Sequence, residues 1–191
     1  WISSNQRRHI VRLIHRRLKT GGVVYNSYNA RPGKMSMEPM RQIFKELIPP
    51  SEHPLQQVSE GFDLLGELAE QPMGVFKQLG NFQEVVSSIK KQSRQYIVHE
   101  FLNEHWNSFY CTEVFKEMAE AKLTYVGSSQ AALNFEVLSV PLPYLKRYRE
   151  LATPERRQLF RDLLLNTSFR KDVYVRGPVL VSPAERAKVN G

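Results

Sequence analysis

The stretch LKTGGVVYNSYN, residues 18–29, runs from the end of a basic amphipathic helix through a Gly-Gly stop into a short β-branched strand that finishes in polar residues. Such a helix-to-strand step is the building unit of an α/β sheet. Upstream of it, Ser3 or Ser4 can cap a helix, and Ile10, Val11, Ile14 and Leu18 recur at helical spacing. Arg16, Arg17 and Lys19 sit at the negative end of that helix dipole. Gly21 or Gly22 supplies the left-handed residue expected to end it. Val23, Val24 and Tyr25 form an apolar run of β-formers, the pattern of a strand covered on both faces, placed over residues 23–26. Ligands of open α/β sheets sit outside the carboxyl ends of the strands, which makes Ser27, Tyr28 and Asn29 candidate site residues. Trp1 is not a methionine, and a lone helix and strand lack the partner strands of a parallel sheet. The chain therefore reads as a piece of a longer protein.

With 191 residues there is room for one domain, or one domain plus an inserted module, with a real core. No run of about 20 apolar residues is present, so a membrane span is not expected, and no charged-then-apolar leader is seen. A single cysteine, Cys111, excludes an internal disulfide framework and suits a reducing cytoplasm, with the thiol read as a small buried side chain. The net charge of +8 is unevenly spread: residues 1–37 hold eight Lys or Arg and no acid, whereas the remainder holds 19 of each sign. Arg7, Arg8, Arg12, Arg16, Arg17 and Lys19 make a basic face that could dock phosphates or an acidic protein. Aromatic residues are not interleaved with these charges as a stacking platform requires, so nucleic-acid binding is not favoured over a solvated outer helix.

After the strand, ARPGK reads as a turn, with Arg31 extended before proline and Gly33 free to take positive φ. Met40, Ile43, Phe44 and Leu47 mark a helix ended by Pro49 and Pro50; Leu55, Val58, Phe62, Leu65 and Leu68 mark a second. Two more are expected over residues 73–79 and 82–101, broken at Gly80 and Asn81. Thr112 can cap a helix to about residue 122, and residues 123–126 read as a strand stopped by Gly127. A loop with Pro141 and Pro143 follows. Thr153 then caps a helix with Pro154 at its first position and Leu159, Phe160, Leu163 and Leu164 expected inside. Residues 172–176 alternate as a last strand, and Arg170, Lys171 and Arg176 fit an edge strand guarded by basic side chains. Ser182, Pro183 and Glu185 form a capping box that would open one more helix.

Three blocks carry a family resemblance: WISSNQRRHIVRLIHRRLKTGGVVYNSYNARPG (1–33), HEFLNEHWNSFYCTEVFKEMAEAKLTYVGSS (99–129) and LLLNTSFRKDVYVRG (163–177). In this order they resemble the class I S-adenosylmethionine-dependent methyltransferases of the group carrying a methyltransferase regulatory domain. The resemblance implies a helix-rich α/β fold, the second half of a Rossmann-like sheet with an inserted helical subdomain. Residues 1–35 would end with strand five, 36–105 would be a helical lid or regulatory insertion at the ligand-bearing end of the sheet, and 106–180 would return to the core. In that return, 112–122 would be a helix, 123–126 strand six and 172–176 an antiparallel strand seven. Residues 181–191 would start a further helix or linker.

The resemblance also implies S-adenosylmethionine as cofactor of the full-length protein and a methyl acceptor, of which a protein lysine is one candidate. Methyl transfer from a sulfonium is an in-line displacement, so the protein supplies orientation and a water-poor pocket rather than a metal or a covalent intermediate. The glycine loop that binds the cofactor in this family is absent, since no G-x-G-x-x-G occurs in the chain; the segment alone is expected to be inactive. Trp1, Ser3 and Ser4, which by the resemblance follow strand four, are the cofactor-side candidates. Ser27, Tyr28, Asn29 and Arg31 are the acceptor-pocket candidates. Arg31, Pro32, Gly33 and Lys34 replace the family's usual Leu-Pro-Gly-Trp and put a positive group near the mouth. No metal is expected: His99 and His105 in HEFLNEH are six apart, about 120° round a helix, and Glu100 and Glu104 share a face without a Glu-x-x-His partner. His99, Glu104 and Trp106 are read as joining the insertion to the core by hydrogen bonds and packing. His9, His15 and His53 have no evident triad companions. A non-catalytic helical interaction module is the reading from another class.

Overall fold

The computed structural model describes residues 1–177. The capping box at Ser182, Pro183 and Glu185 and the segment 181–191 lie outside the described residues. The chain divides into two compact units: a helical one of Trp1–Ile2 with Lys34–Asn107, and an α/β one of Ser3–Gly33 with the described residues from Ser108 onward.

In the α/β unit, α1 (Ser4–Arg17) is capped by Ser3, whose hydroxyl accepts from the Gln6 amide at 3.2 Å while the Gln6 side chain accepts from the Ser3 amide at 2.9 Å. The helix does not end at a glycine. Leu18 leaves helical geometry first, at φ −73° and ψ 130°, because its side chain packs into the unit's core. Gly21, at φ 81°, instead shapes the turn that follows, where its N–H donates to Arg176 O at 2.8 Å. β1 (Val23–Asn29) is longer than expected and contains Ser27, Tyr28 and Asn29 rather than ending before them.

The sheet has the order β1-β3-β2, with β2 (Leu123–Ser128) and β3 (Phe169–Arg176). β3 lies antiparallel to both neighbours, with Tyr28 opposite Arg170 and Asn26 opposite Asp172. It is therefore the central strand, not an edge guarded by basic residues. One sheet face, bearing Val24, Tyr28, Tyr125 and Tyr174, packs with Val11 and Ile14 of α1, with Leu18 just after it, and with Cys111, Val114, Phe115 and Met118 of α7 (Cys111–Ala119). Among the described residues the other face is uncovered: Val23 is 60% exposed, Tyr25 55% and Val126 51%. Within them the apolar run in β1 has one covered face rather than two.

Several boundaries move for local reasons. α7 starts before Thr112, with Tyr110 at the cap and Glu113 accepting from its amide at 2.7 Å. Gly127 lies inside β2, next to a register shift, and the Asn134 amide clamps the following residue by accepting from Ser128 N (2.7 Å) and donating to Ser128 O (2.8 Å). The expected proline loop holds a 3-10 turn (Ala131–Asn134), α8 (Glu136–Ser139) and α9 (Leu142–Glu150); Pro143 fits the first turn of α9, where no N–H is needed. α10 (Pro154–Leu165) is capped by Thr153 as its sequence implies. Its buried residues are Arg161 and Asp162, however, while Leu163 is 51% exposed, because the turn beside β3 meets a buried cation. Gly33 does not take positive φ; it serves close approach, since a Cβ there would fall 2.1 Å from the Asn166 carbonyl oxygen.

The helical unit contains α2 (Glu38–Gln42), continued by a π turn (Ile43–Leu47), then α3 (Pro54–Glu70), α4 (Gly74–Gln78), α5 (Phe82–Lys90) and α6 (Arg94–Phe101). Met40, Ile43, Phe44, Val58, Phe62, Leu65, Ile97 and Phe101 form its core. The long helix expected over 82–101 is two helices, because the Ser93 hydroxyl accepts from the Tyr96 amide at 3.2 Å and starts α6 afresh.

Candidate functional site

Tyr28 is the acceptor-side candidate with the most defined surroundings. Alternation along β1 turns its ring to the covered face, and its hydroxyl donates to Asp172 Oδ2 at 2.8 Å. Asp172 also accepts from the Tyr174 hydroxyl at 3.3 Å and from Arg170 Nε at 3.0 Å on both oxygens. The other end of the Arg170 guanidinium meets Asp162 of α10, with Nη1 2.8 Å from each carboxylate oxygen, and Nη2 donates to Gln158 Oε1 at 3.1 Å. Arg170 is 4% exposed, and Asp162 and Asp172 are 1% each. A sequence reading of Arg170 as a surface guard is overturned by this placement.

The electrostatics follow from burial. Burial, reinforced by Asp172 and opposed by Arg170, pushes the Tyr28 phenol up. Burial raises Tyr174 too, again with Asp172 adding. Burial works against the charge of Arg170, but Asp162 and Asp172 outweigh it and hold the guanidinium charged. Cys111, fully buried beside this cluster, has its thiol pushed up by burial and by Asp162, as expected of a packing residue rather than a nucleophile. These groups are satisfied by one another, so the cluster fixes the register of β1 on β3 and ties α10 to the sheet.

The other acceptor-side candidates are separate from it. Ser27 is exposed opposite Lys171; Asn29 pairs with Phe169 and its carbonyl accepts from Phe109 N–H at 3.0 Å. Arg31 donates from Nε to Ser108 Oγ at 3.2 Å and lies over the Tyr110 ring at 5.8 Å. On the cofactor side, the Ser3 hydroxyl is occupied in the helix cap and Ser4 is the first helical residue. Trp1 belongs to the helical unit, where its ring lies 4.5 Å from that of His99. The Ser3 hydroxyl is therefore already engaged, and the chain holds no G-x-G-x-x-G loop.

The helical unit holds a second polar cluster that the sequence did not announce. Glu100, 2% exposed, pairs with Lys34 Nζ at 2.5 Å and accepts from Trp106 Nε1 at 3.2 Å. Lys34 and Arg41 both lie 5.6 Å from the Trp106 ring centre. Arg41 donates from Nη2 to Asn103 O at 2.5 Å, and burial lowers its pKa against Glu38, Glu46 and Glu100. The Lys34 charge is thus buried and paired rather than presented at a pocket mouth. α6 ends at Phe101, so the helical-face comparison of Glu100 with Glu104, or of His99 with His105, does not apply. Among the described residues no group of three metal-ligating side chains is gathered. No described helix is long and apolar enough to cross a membrane.

Residues 93–176 match the family model of the predicted methyltransferase regulatory domain. The chain is 33% identical over 192 residues to the uncharacterized protein sll1526 of Synechocystis sp., covering 100% of this chain and 38% of that protein. Its fold is similar to PKMT2 from Rickettsia typhi, with a TM-score of 0.77 at 18% identity over 98% of this chain and 35% of the other. The structure of that protein in complex with AdoHcy gives 0.78 at 17% identity, over 98% of this chain and 36% of the other. The chain spans less than two-fifths of the length of these relatives. Residues 93–176 are thus similar to a methyltransferase-associated regulatory region, and the helix-rich α/β fold of the chain is shared with the solved structures.

Proposed function

We propose that this chain is part of an S-adenosylmethionine-dependent methyltransferase, contributing the far half of a Rossmann-like sheet and a helical region that docks or regulates a protein acceptor. The observation that carries the reading is the sheet: β3 runs antiparallel between β1 and β2, as a reversed final strand after a helix-linked pair. The regulatory-domain match over 93–176 and the similarity to a fold solved with AdoHcy support the same reading. AdoHcy is what S-adenosylmethionine becomes after giving up its methyl group.

On this reading the glycine loop and the ribose partner come from the part of the longer relatives that this chain does not span. What this chain supplies is the wall at the carboxyl end of β1: Tyr28 held by Asp172, with Ser27, Asn29 and Arg31 toward the acceptor. Trp1, Ser3 and Ser4 lie toward the cofactor. The chain alone transfers no methyl group. The test is transfer of labelled methyl from S-adenosylmethionine to protein by the intact protein. Label incorporated into protein supports the reading; a protein that consumes no S-adenosylmethionine with any protein acceptor leaves the non-catalytic interaction module in its place.

A further inference from the structure

We propose that the outer face of α1 is a binding cleft for a diphosphate-bearing anion, distinct from the cofactor and acceptor positions above. A concavity of about 430 Å³ is lined by His9, Val11, Arg12, His15, Arg16 and Glu120. Its volume falls within the range of small-ligand clefts, roughly 300 to 1,000 Å³.

The chemistry of the lining selects the ligand. Arg12 and Arg16 are one helical turn apart on the same face, both exposed, and neither makes an ion pair or side-chain hydrogen bond among the described residues. The contrast with Arg7 is informative: its guanidinium is committed to Glu117 at 2.7 Å and stacks on Phe109. His9 donates from Nδ1 to the Asn5 carbonyl at 3.1 Å, so the charge of the lining comes from the two arginines. His15 also lines the cleft, and its Nδ1 is buried without a hydrogen-bond partner among the described residues. Glu120 is the one carboxylate in the lining, and it is outnumbered by the two guanidinium groups alone.

Arg12 and Arg16 are separated by about 6 Å of helix rise. A single carboxylate or phosphate pairs fully with one guanidinium, whereas two linked phosphoryl groups offer a set of acceptor oxygens to each arginine. Two of the eight cations in the first 37 residues then have a local use.

The test is calorimetric titration of pyrophosphate into the intact protein at low salt, beside the variants R12Q/R16Q and R17Q. Arg17 lies on the same helix but outside the lining. Saturable binding is expected, weakened about 100-fold by R12Q/R16Q and little by R17Q. Citrate should bind at least about tenfold more weakly than pyrophosphate. The substituted side chains are exposed, so thermal midpoints should be unchanged and report intact folding. Absence of saturable binding, equal binding by R12Q/R16Q, an equal loss in R17Q, or citrate matching pyrophosphate would each overturn the proposal.

Discussion

Replacing Arg170 with methionine removes the cation that bridges two buried carboxylates while keeping most of the side-chain volume. In the native unit the guanidinium reaches Asp162 at 2.8 Å and Asp172 at 3.0 Å, each through two oxygens, at 4% exposure. Breaking a buried pair by deleting one partner costs about 3–5 kcal/mol, because the remaining charge stays desolvated. Here one deletion strands two carboxylates, so the loss should lie at the upper end, about 5 kcal/mol. At about 2–4 °C per kcal/mol for a chain of this size, the thermal midpoint of the α/β unit should fall by about 10–20 °C. The double variant R170M/D162L should recover part of that loss, since Asp172 keeps the Tyr28 and Tyr174 hydroxyls as donors. Urea unfolding, with hydrogen exchange of the β3 amides to localise the change, measures both. An R170M protein within about 1 kcal/mol of the parent would refute the assignment of this cluster as the tie between α10 and the sheet.

Other expectations follow from the same packing. Gly33→Ala should destabilise the α/β unit by about 2 kcal/mol or more, since the new Cβ would meet the Asn166 oxygen at 2.1 Å; an unchanged urea midpoint would contradict it. Gly61→Ala should cost about 1–3 kcal/mol in the helical unit, where the Phe44 ring lies 2.3 Å from the added carbon, and hydrogen exchange should show the change in α3 and not in β3. Cys111, Tyr28 and Tyr174 have pKa values raised above their unfolded values of about 8.5 and about 10. The unfolded chain therefore ionises first on the alkaline side: stability from these groups is complete below about pH 8.5 and falls as pH rises beyond it. Urea midpoints taken across that range should show this fall, and C111A should lose its earliest part. A midpoint that climbs with alkalinity would contradict the burial of these groups.

The elements legible in the sequence were those that local chemistry specifies. Ser3 or Ser4, Thr153 with Pro154, and the β-branched run from Val23 carry their own caps and periodicity, and the structure places α1, α10 and β1 there, with Ser3 as the cap of α1. Reading failed where tertiary partners decide. Leu18 ends α1 before the glycines because it has a core to enter, and Ser93 splits a helix whose apolar spacing continues across it. Arg170 looked like a surface cation because Asp162 is on another element; only Asp172, two residues along the strand and therefore on the same face, was a readable hint. The same applies to Lys34, whose partner Glu100 is far along the chain. At the candidate site, Tyr28 was singled out for its position after a strand, yet the structure gives its hydroxyl a buried carboxylate partner that no spacing rule could supply.

The most direct test of a shared methyltransferase core is calorimetric titration of S-adenosylmethionine into the 191-residue chain and, in parallel, into a protein extended to the full length of its relatives. Saturable binding to the extended protein and none to the chain alone is the predicted result. Binding to neither, or equally tight binding to the chain by itself, would contradict a cofactor site completed by sequence beyond this segment.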